Sequence, residues 1–179
     1  MAWRQIGRTL LRGPATEPAI PPGEAEIATL SARLKATAFS RLGRSLALRQ
    51  VDSGSCNGCE LEIHMLGGIV YDLERFGLHF VASPRHADVL LVTGPVTRTM
   101  HPALVRTWQA TPDPKWVVAL GDCAIDGGVF KGSYAISGGI DQALPVDLVI
   151  RGCPPTPTAI LDGLCSLIEA HGRDRPPPR

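Results

Sequence analysis

Four of the five cysteines, Cys56, Cys59, Cys123 and Cys153, fall in glycine-bearing turns, SCNGCE, GDCAIDGG and RGCPP, set far apart along the chain. Each turn closely follows a short apolar run: Leu46 to Val51 before the first, Trp116 to Leu120 before the second, Val146 to Ile150 before the third. Runs with little polar alternation read as parallel strands covered on both faces. His79 to Ala82 and Val89 to Thr93 supply two more strands. Helical periodicity fills Glu60 to Leu66, Pro102 to Ala110 and Thr156 to Ala170. Strands alternating with helices predict an α/β fold, an open, mainly parallel sheet with right-handed crossovers and helices on both faces. Ligands bind such sheets at the carboxyl ends of the strands, so the three cysteine turns are expected to meet at one edge.

The ends of the chain differ from this core. Residues 1–44 hold seven Lys or Arg and three Glu, a local +4 that leaves the remainder at −3 within a total of +1. A nearly neutral total argues against a dedicated nucleic-acid binder. Trp3, Ile6, Leu10 and Leu11 share one helical face while Arg4, Arg8 and Arg12 recur on another, which predicts a short basic amphipathic helix for docking on an anionic membrane surface or a partner. The proline-rich stretch Pro14 to Pro22 reads as a linker, giving a first unit of residues 1–23. Glu24 to Leu42 has period-3.6 apolar spacing and opens an α/β domain of residues 24–171, and the polar GRDRPPPR end places a disordered tail at 172–179. No apolar run is long enough to span a bilayer, and the arginine-studded start lacks the apolar core of a secretory signal. A reducing, cytosolic setting follows, where cysteines serve as metal ligands or catalysts more readily than as disulfides.

Three chemistries compete for the cysteines. An iron–sulfur cluster needs thiolates arriving from several directions in turns without bulky side chains, and Gly54, Gly58, Gly121, Gly127, Gly128 and Gly152 meet that need. A structural zinc site normally draws on two close pairs of ligands, whereas this chain has one C-x-x-C and two lone cysteines. A thioredoxin-like dithiol at Cys56 and Cys59 leaves Cys123 and Cys153 unused. Cys165 lies among Ile160, Leu161, Leu164 and Ile168 at helical spacing and reads as a core residue.

The segments LGRSLALRQVDSGSCNGCELEIH, ERFGLHFVASPRHADVLLVTGPVT, GDCAIDGGVFKGSYA and RGCPPTP, in order between about Leu42 and Ile168, carry a resemblance. The chain resembles the small, cluster-bearing subunit shared by membrane-bound group 4 [NiFe] hydrogenases and respiratory complex I, where it is the B or 20 kDa subunit. It is most similar to the branch found in formate hydrogenlyase and hydrogenase-4. The resemblance implies a flavodoxin-like domain in which Cys56, Cys59, Cys123 and Cys153 bind one [4Fe–4S] cluster. Complex I subunits carry two adjacent cysteines at the first position. The C-x-G-C arrangement here is that of hydrogenase small subunits, and it favours that branch. The implied partners are a large subunit holding the [NiFe] centre, or a quinone-reductase-like one in the complex I branch, a ferredoxin-like iron–sulfur subunit, and membrane-arm subunits reached through the N-terminal helix. The implied location is peripheral, on the cytoplasmic face of the membrane.

Three further residues are candidates for tuning the cluster or relaying protons: Glu60, which also suits the start of a helix, His64 one turn later, and Arg151 beside a ligand turn. Asp122 flanks another ligand turn. His79, His86 and His101 match no metal-binding spacing. The chain carries no P-loop, no G-x-G-x-x-G and no G-x-S-x-G.

Overall fold

The computed structural model describes residues 23–42 and 44–171. The expected amphipathic helix, the linker and the C-terminal tail lie outside the described residues.

The apolar runs form a five-stranded, all-parallel sheet of β1 (Leu46–Asp52), β2 (Leu78–Phe80), β3 (Val89–Thr93), β5 (Trp116–Leu120) and β7 (Leu148–Ile150). Its order, β2-β1-β3-β5-β7, is the flavodoxin-like arrangement, with the direction of winding reversing between β1 and β3. Two short strands, β4 (Val96–Thr97) and β6 (Ile136–Gly138), form a separate antiparallel pair.

Helices cover both faces. On one side α1 (Glu24–Leu42), α2 (Gly58–Leu66) and α5 (Pro157–His171) bury Ile27, Leu34, Ile63, Leu66, Leu161 and Leu164 against Leu48, Leu91 and Val118. On the other, α3 (His101–Ala110) and the short α4 (Asp122–Asp126) place Leu104 and Ala124 against Leu90, Val92, Val117 and Ala119. Every residue of β3 and β5 is buried, as central strands covered on both faces require.

Two carboxylates set the strands' starting register. Asp88 accepts the Ala47 amide at 3.0 Å and pairs with Arg44 at 2.6 Å, tying the head of β1 to that of β3. Asp147 accepts the Val117 amide at 2.7 Å, and its own amide donates to the Val117 carbonyl at 2.9 Å. That exchange begins one residue before β7, so the strand is shorter than the apolar run from Val146 suggests. β2 likewise ends at Phe80 rather than Ala82, because the Val81 amide makes the last ladder bond, to the Leu48 carbonyl, before the chain enters the 3-10 turn at Pro84–His86.

Across the α1/α5 contact, Arg33 grips Glu169 with two bonds of 2.9 and 2.8 Å and reaches Asp162 at 3.1 Å. These exposed groups fix the approach of the helices more than they stabilise it.

Candidate functional site: a cradle of four thiols

Three turns at the carboxyl edge of the sheet carry the four cysteines. After β1, the Asp52 carboxylate accepts the amides of Gly54 and Ser55, both at 2.7 Å, and the Ser55 hydroxyl accepts the Asn57 amide at 3.2 Å. These bonds curl the chain so that Cys56 sits in an exposed turn and Cys59 in the first turn of α2, buried. The left-handed residue here is Asn57, at φ 72°, rather than Gly58. Ser53, wholly buried, holds the turn to its neighbour, its hydroxyl lying 2.7 Å from the Thr93 carbonyl and 2.9 Å from that of Gly94.

Beyond β5, Gly121 turns at φ 88° and delivers Cys123 to the start of α4, also buried. The chain leaving β7 passes through Gly152 to Cys153, which is exposed and precedes a cis bond to Pro154.

The turns close on one another. A methyl group at Gly121 would lie 2.6 Å from the Cys59 sulfur, and one at Gly128 would lie 2.7 Å from that of Cys123. Glycine is therefore required at both places to leave the thiols room. Burial pushes the Cys59 thiol up to about 12, with the charges of Glu60, Cys56, Cys123 and Cys153 adding in that order. Burial also raises the Cys123 thiol, reinforced first by Cys153, while a bond to the Val129 backbone opposes the shift. A methyl group at Gly121 would also lie 3.4 Å from the Gly152 carbonyl oxygen, and one at Gly58 3.9 Å from Pro154 Cδ, so all three turns adjoin. Cys59 and Cys123 form the floor of the cradle, and Cys56 and Cys153 its open rim. Among the described residues no three His, Cys, Asp or Glu side chains draw together as a single-ion site.

The other candidates are placed less simply. Glu60 is 5% exposed and neither carboxylate oxygen has a partner, so it does not cap α2. His64 is exposed in the last turn of α2. Arg151 is exposed and adds the smallest of the effects that hold the Asp126 carboxyl below its usual range, behind the Gly128 amide and Lys131. The structure brings none of the three into a hydrogen bond with a cysteine. Cys165 lies away from the cradle, buried in the core with its sulfur 3.6 Å from Glu169. His79, His86 and His101 sit on β2, on the 3-10 turn and at the start of α3, and form no cluster. Sequence reasoning missed Asp52. Its signal was the D-x-G spacing to Gly54, which marks an Asp that folds back on its own turn.

The model of the NADH ubiquinone oxidoreductase 20 kDa subunit matches residues 56–167, from the first cradle cysteine into the last helix. The chain belongs to this family. It is 48% identical over 132 residues to formate hydrogenlyase subunit 7 of Escherichia coli, covering 74% of this chain and 52% of the relative. The family member thus spans about half the length of that protein. It is also 48% identical to the probable membrane-bound hydrogenase subunit mbhJ of Pyrococcus furiosus, covering 72% of this chain and 77% of the relative. An NADH-quinone oxidoreductase subunit of Geotalea daltonii matches at 45% identity over 65% of this chain and 68% of the relative. Among solved structures, a chain of the archaeal membrane-bound sulfane sulfur reductase superposes with a TM-score of 0.66 at 36% identity, covering 78% of this chain and 76% of that one. A chain of an NAD+-reducing [NiFe]-hydrogenase, 20% identical with a TM-score of 0.54, shares the fold. The relatives are subunits of oxidoreductase complexes, two of them described as membrane-bound. No helix among the described residues is long and apolar enough to cross a membrane.

Proposed function

We propose that this family member is the electron-transfer subunit of a membrane-bound hydrogenase complex of the formate hydrogenlyase type, with Cys56, Cys59, Cys123 and Cys153 holding one [4Fe–4S] cluster. The observation that carries this reading is the meeting of three sequence-distant turns at one sheet edge, with glycines where any side chain would strike a thiol. One C-x-x-C pair and two lone cysteines brought in by separate turns suit a polynuclear cluster better than zinc, which ordinarily draws on two close pairs. When bound, such a cluster supplies one-electron transfer and no vacant position for substrate.

The chain's own residues prepare the place. Cys59 and Cys123 must give up protons that their buried positions hold tightly, so loading of the site releases protons and favours higher pH. The buried Glu60 lies next to Cys59 and the exposed Arg151 lies two residues before Cys153, which places both beside the proposed cluster as candidates for tuning it. His64, exposed one turn from Glu60, is the remaining candidate for proton movement. Exposed Val129, Phe130 and Tyr134 follow the Cys123 turn, and exposed Leu61 and Met65 follow Cys59. They offer apolar surface beside the rim for the large subunit that holds the [NiFe] centre. A ferredoxin-like subunit completes the route, and residues 1–12 dock the assembly to its membrane arm at the cytoplasmic face.

The match to an NADH-quinone oxidoreductase subunit supports a second reading, in which the same chain serves a quinone-reducing partner. Anaerobic purification followed by EPR of the reduced protein tests the cluster: a rhombic low-temperature signal with matching iron and sulfide upholds it, and a colourless, silent protein refutes it. The large partner's sequence separates the two complexes. Two C-x-x-C pairs in that partner indicate hydrogenase, and their absence indicates the quinone branch.

A further inference from the structure

The Cys123 and Cys153 turns are joined by a side chain that acts where the sheet has run out. The β5/β7 ladder ends at Leu120 opposite Ile150, and the Gly121 amide makes the next bond, to the Ile150 carbonyl at 2.8 Å. One step further on, the chains part, one into α4 and the other into the Cys153 turn. At that step the Asp122 amide donates to the Gly152 carbonyl at 2.9 Å, and the Gly152 amide donates back to Asp122 Oδ1 at 3.1 Å. A carboxylate oxygen thus stands in for the carbonyl that a continuing strand would have offered. Each proposed ligand, Cys123 and Cys153, is the residue immediately after a clasped one.

The Cys56/Cys59 turn is held differently. Asp52 binds amides of its own turn and reaches no other. The Cys153 turn is packed tightly on itself, since a methyl group at Gly152 would lie 2.5 Å from Pro155 Cα. Beyond the Gly121–Ile150 bond, its register against the Cys123 turn is carried by the reciprocal Asp122–Gly152 pair.

We infer that Asp122 is a positioning residue, a clasp whose carboxylate oxygen sets Cys153 against Cys123 for binding of one shared cluster. The inference rests on the cluster reading above, but its geometric half does not. Asp122→Ala removes the acceptor and leaves the Gly152 amide unpaired, while Asp122→Asn keeps an oxygen at the same place and removes only the charge. In the full chain, purified anaerobically, Asp122→Ala accelerates hydrogen exchange at the Gly152 amide on the order of ten- to hundredfold, the effect of losing a bond to a charged group. Iron content falls, and the oxidised protein gives the signal of a three-iron cluster because the Cys153 thiol is no longer delivered. Asp122→Asn restores slow exchange and the four-iron spectrum.

Exchange and cluster unchanged in Asp122→Ala would overturn the clasp, and so would Asp122→Asn behaving like the alanine variant. If Asp122→Ala does not fold, Asp122→Asn decides alone: a wild-type spectrum and slow exchange uphold the clasp, and loss of either refutes it. A wild-type chain that binds no iron yet shows the exchange contrast sinks the cluster reading and leaves the geometric clasp standing. A loaded wild type with an indifferent alanine variant does the reverse.

Discussion

Gly121→Ala is the most direct test of the cradle. Gly121 sits at φ 88°, ψ 156°, a region almost closed to residues with a side chain, and forcing alanine there costs about 1–3 kcal/mol. The new methyl would lie 2.6 Å from the Cys59 sulfur and 3.4 Å from the Gly152 carbonyl oxygen, against an ordinary contact distance of about 3.5–4.0 Å, so something must move by roughly 1 Å. Cys59 is 9% exposed in the first turn of α2, with the sheet edge beneath it, and has little room to retreat. Overpacking of this kind adds about 1–3 kcal/mol, and reduced freedom of the unfolded chain returns about 0.4–1 kcal/mol. The net expectation is a loss of about 1–5 kcal/mol, or roughly 2–20 °C in melting temperature for a domain of this size. Gly58→Ala is the control. Its methyl would meet only the Cys56 sulfur at 3.5 Å and Pro154 Cδ at 3.9 Å, both ordinary contacts within a helix. That variant should be unchanged or more stable by up to about 1 kcal/mol. Thermal melting and iron and sulfide content, measured side by side on anaerobically purified protein, read both effects. A Gly121→Ala protein that melts with the wild type and carries its full iron would show that Cys59 is not confined as described.

The cysteines themselves divide by place. Cys123→Ser and Cys153→Ser should each abolish the normal cluster signal, whereas Cys165→Ser, in the core beside Glu169, should keep it and lose about 1–2 kcal/mol in urea unfolding; equal iron loss in all three would refute the ligand assignment. The pH dependence of the 126–131 loop follows from Asp126, whose carboxyl is held down first by the Gly128 amide and then by Lys131. A depressed carboxyl contributes stability that is fully present above its ordinary value near 3.8 and is lost as pH falls through the folded value, so Asp126→Asn should differ from wild type at pH 6 and converge with it in strong acid. Urea midpoints across pH 2–6 check this, and a difference that persists unchanged to the acid end would contradict it.

Much of the fold was legible because burial on two faces writes itself as uninterrupted apolar sequence. Val89–Thr93 and Trp116–Leu120 coincide with the predicted strands for that reason. β4 and β6 escaped because two- and three-residue strands leave no periodicity to detect. At the site, the cysteines and the need for glycine were readable from local spacing, but the identity of the left-handed residue was not, since both Asn57 and Gly58 tolerate that conformation. Glu60 misled for a related reason. An acidic residue at a helix start ordinarily faces water and the free amides, whereas the first turn of α2 is pressed into the sheet edge and takes Glu60 under with it. The Asp122–Gly152 pair joins positions thirty residues apart through a side chain, and no local pattern encodes such a contact.

On the proposed function, the uneven exposure of the thiols has a physical logic. Ligands fixed to the ends of buried strands change little when the charge between them changes, and Cys59 and Cys123 are fixed in this way by α2, α4 and the glycines beside them. A wholly buried site would also isolate the centre from its partners. Cys56 and Cys153 remain exposed at the rim, and apolar Val129, Phe130 and Tyr134, the last 87% exposed, lie in the segment that leaves the Cys123 turn. Large apolar side chains left bare beside the cysteines are the kind of surface the proposed large subunit would cover. In the proposed assembly the floor would hold the site rigid, the rim would bring it within reach of a partner, and a docking subunit would supply dry surroundings on the open side.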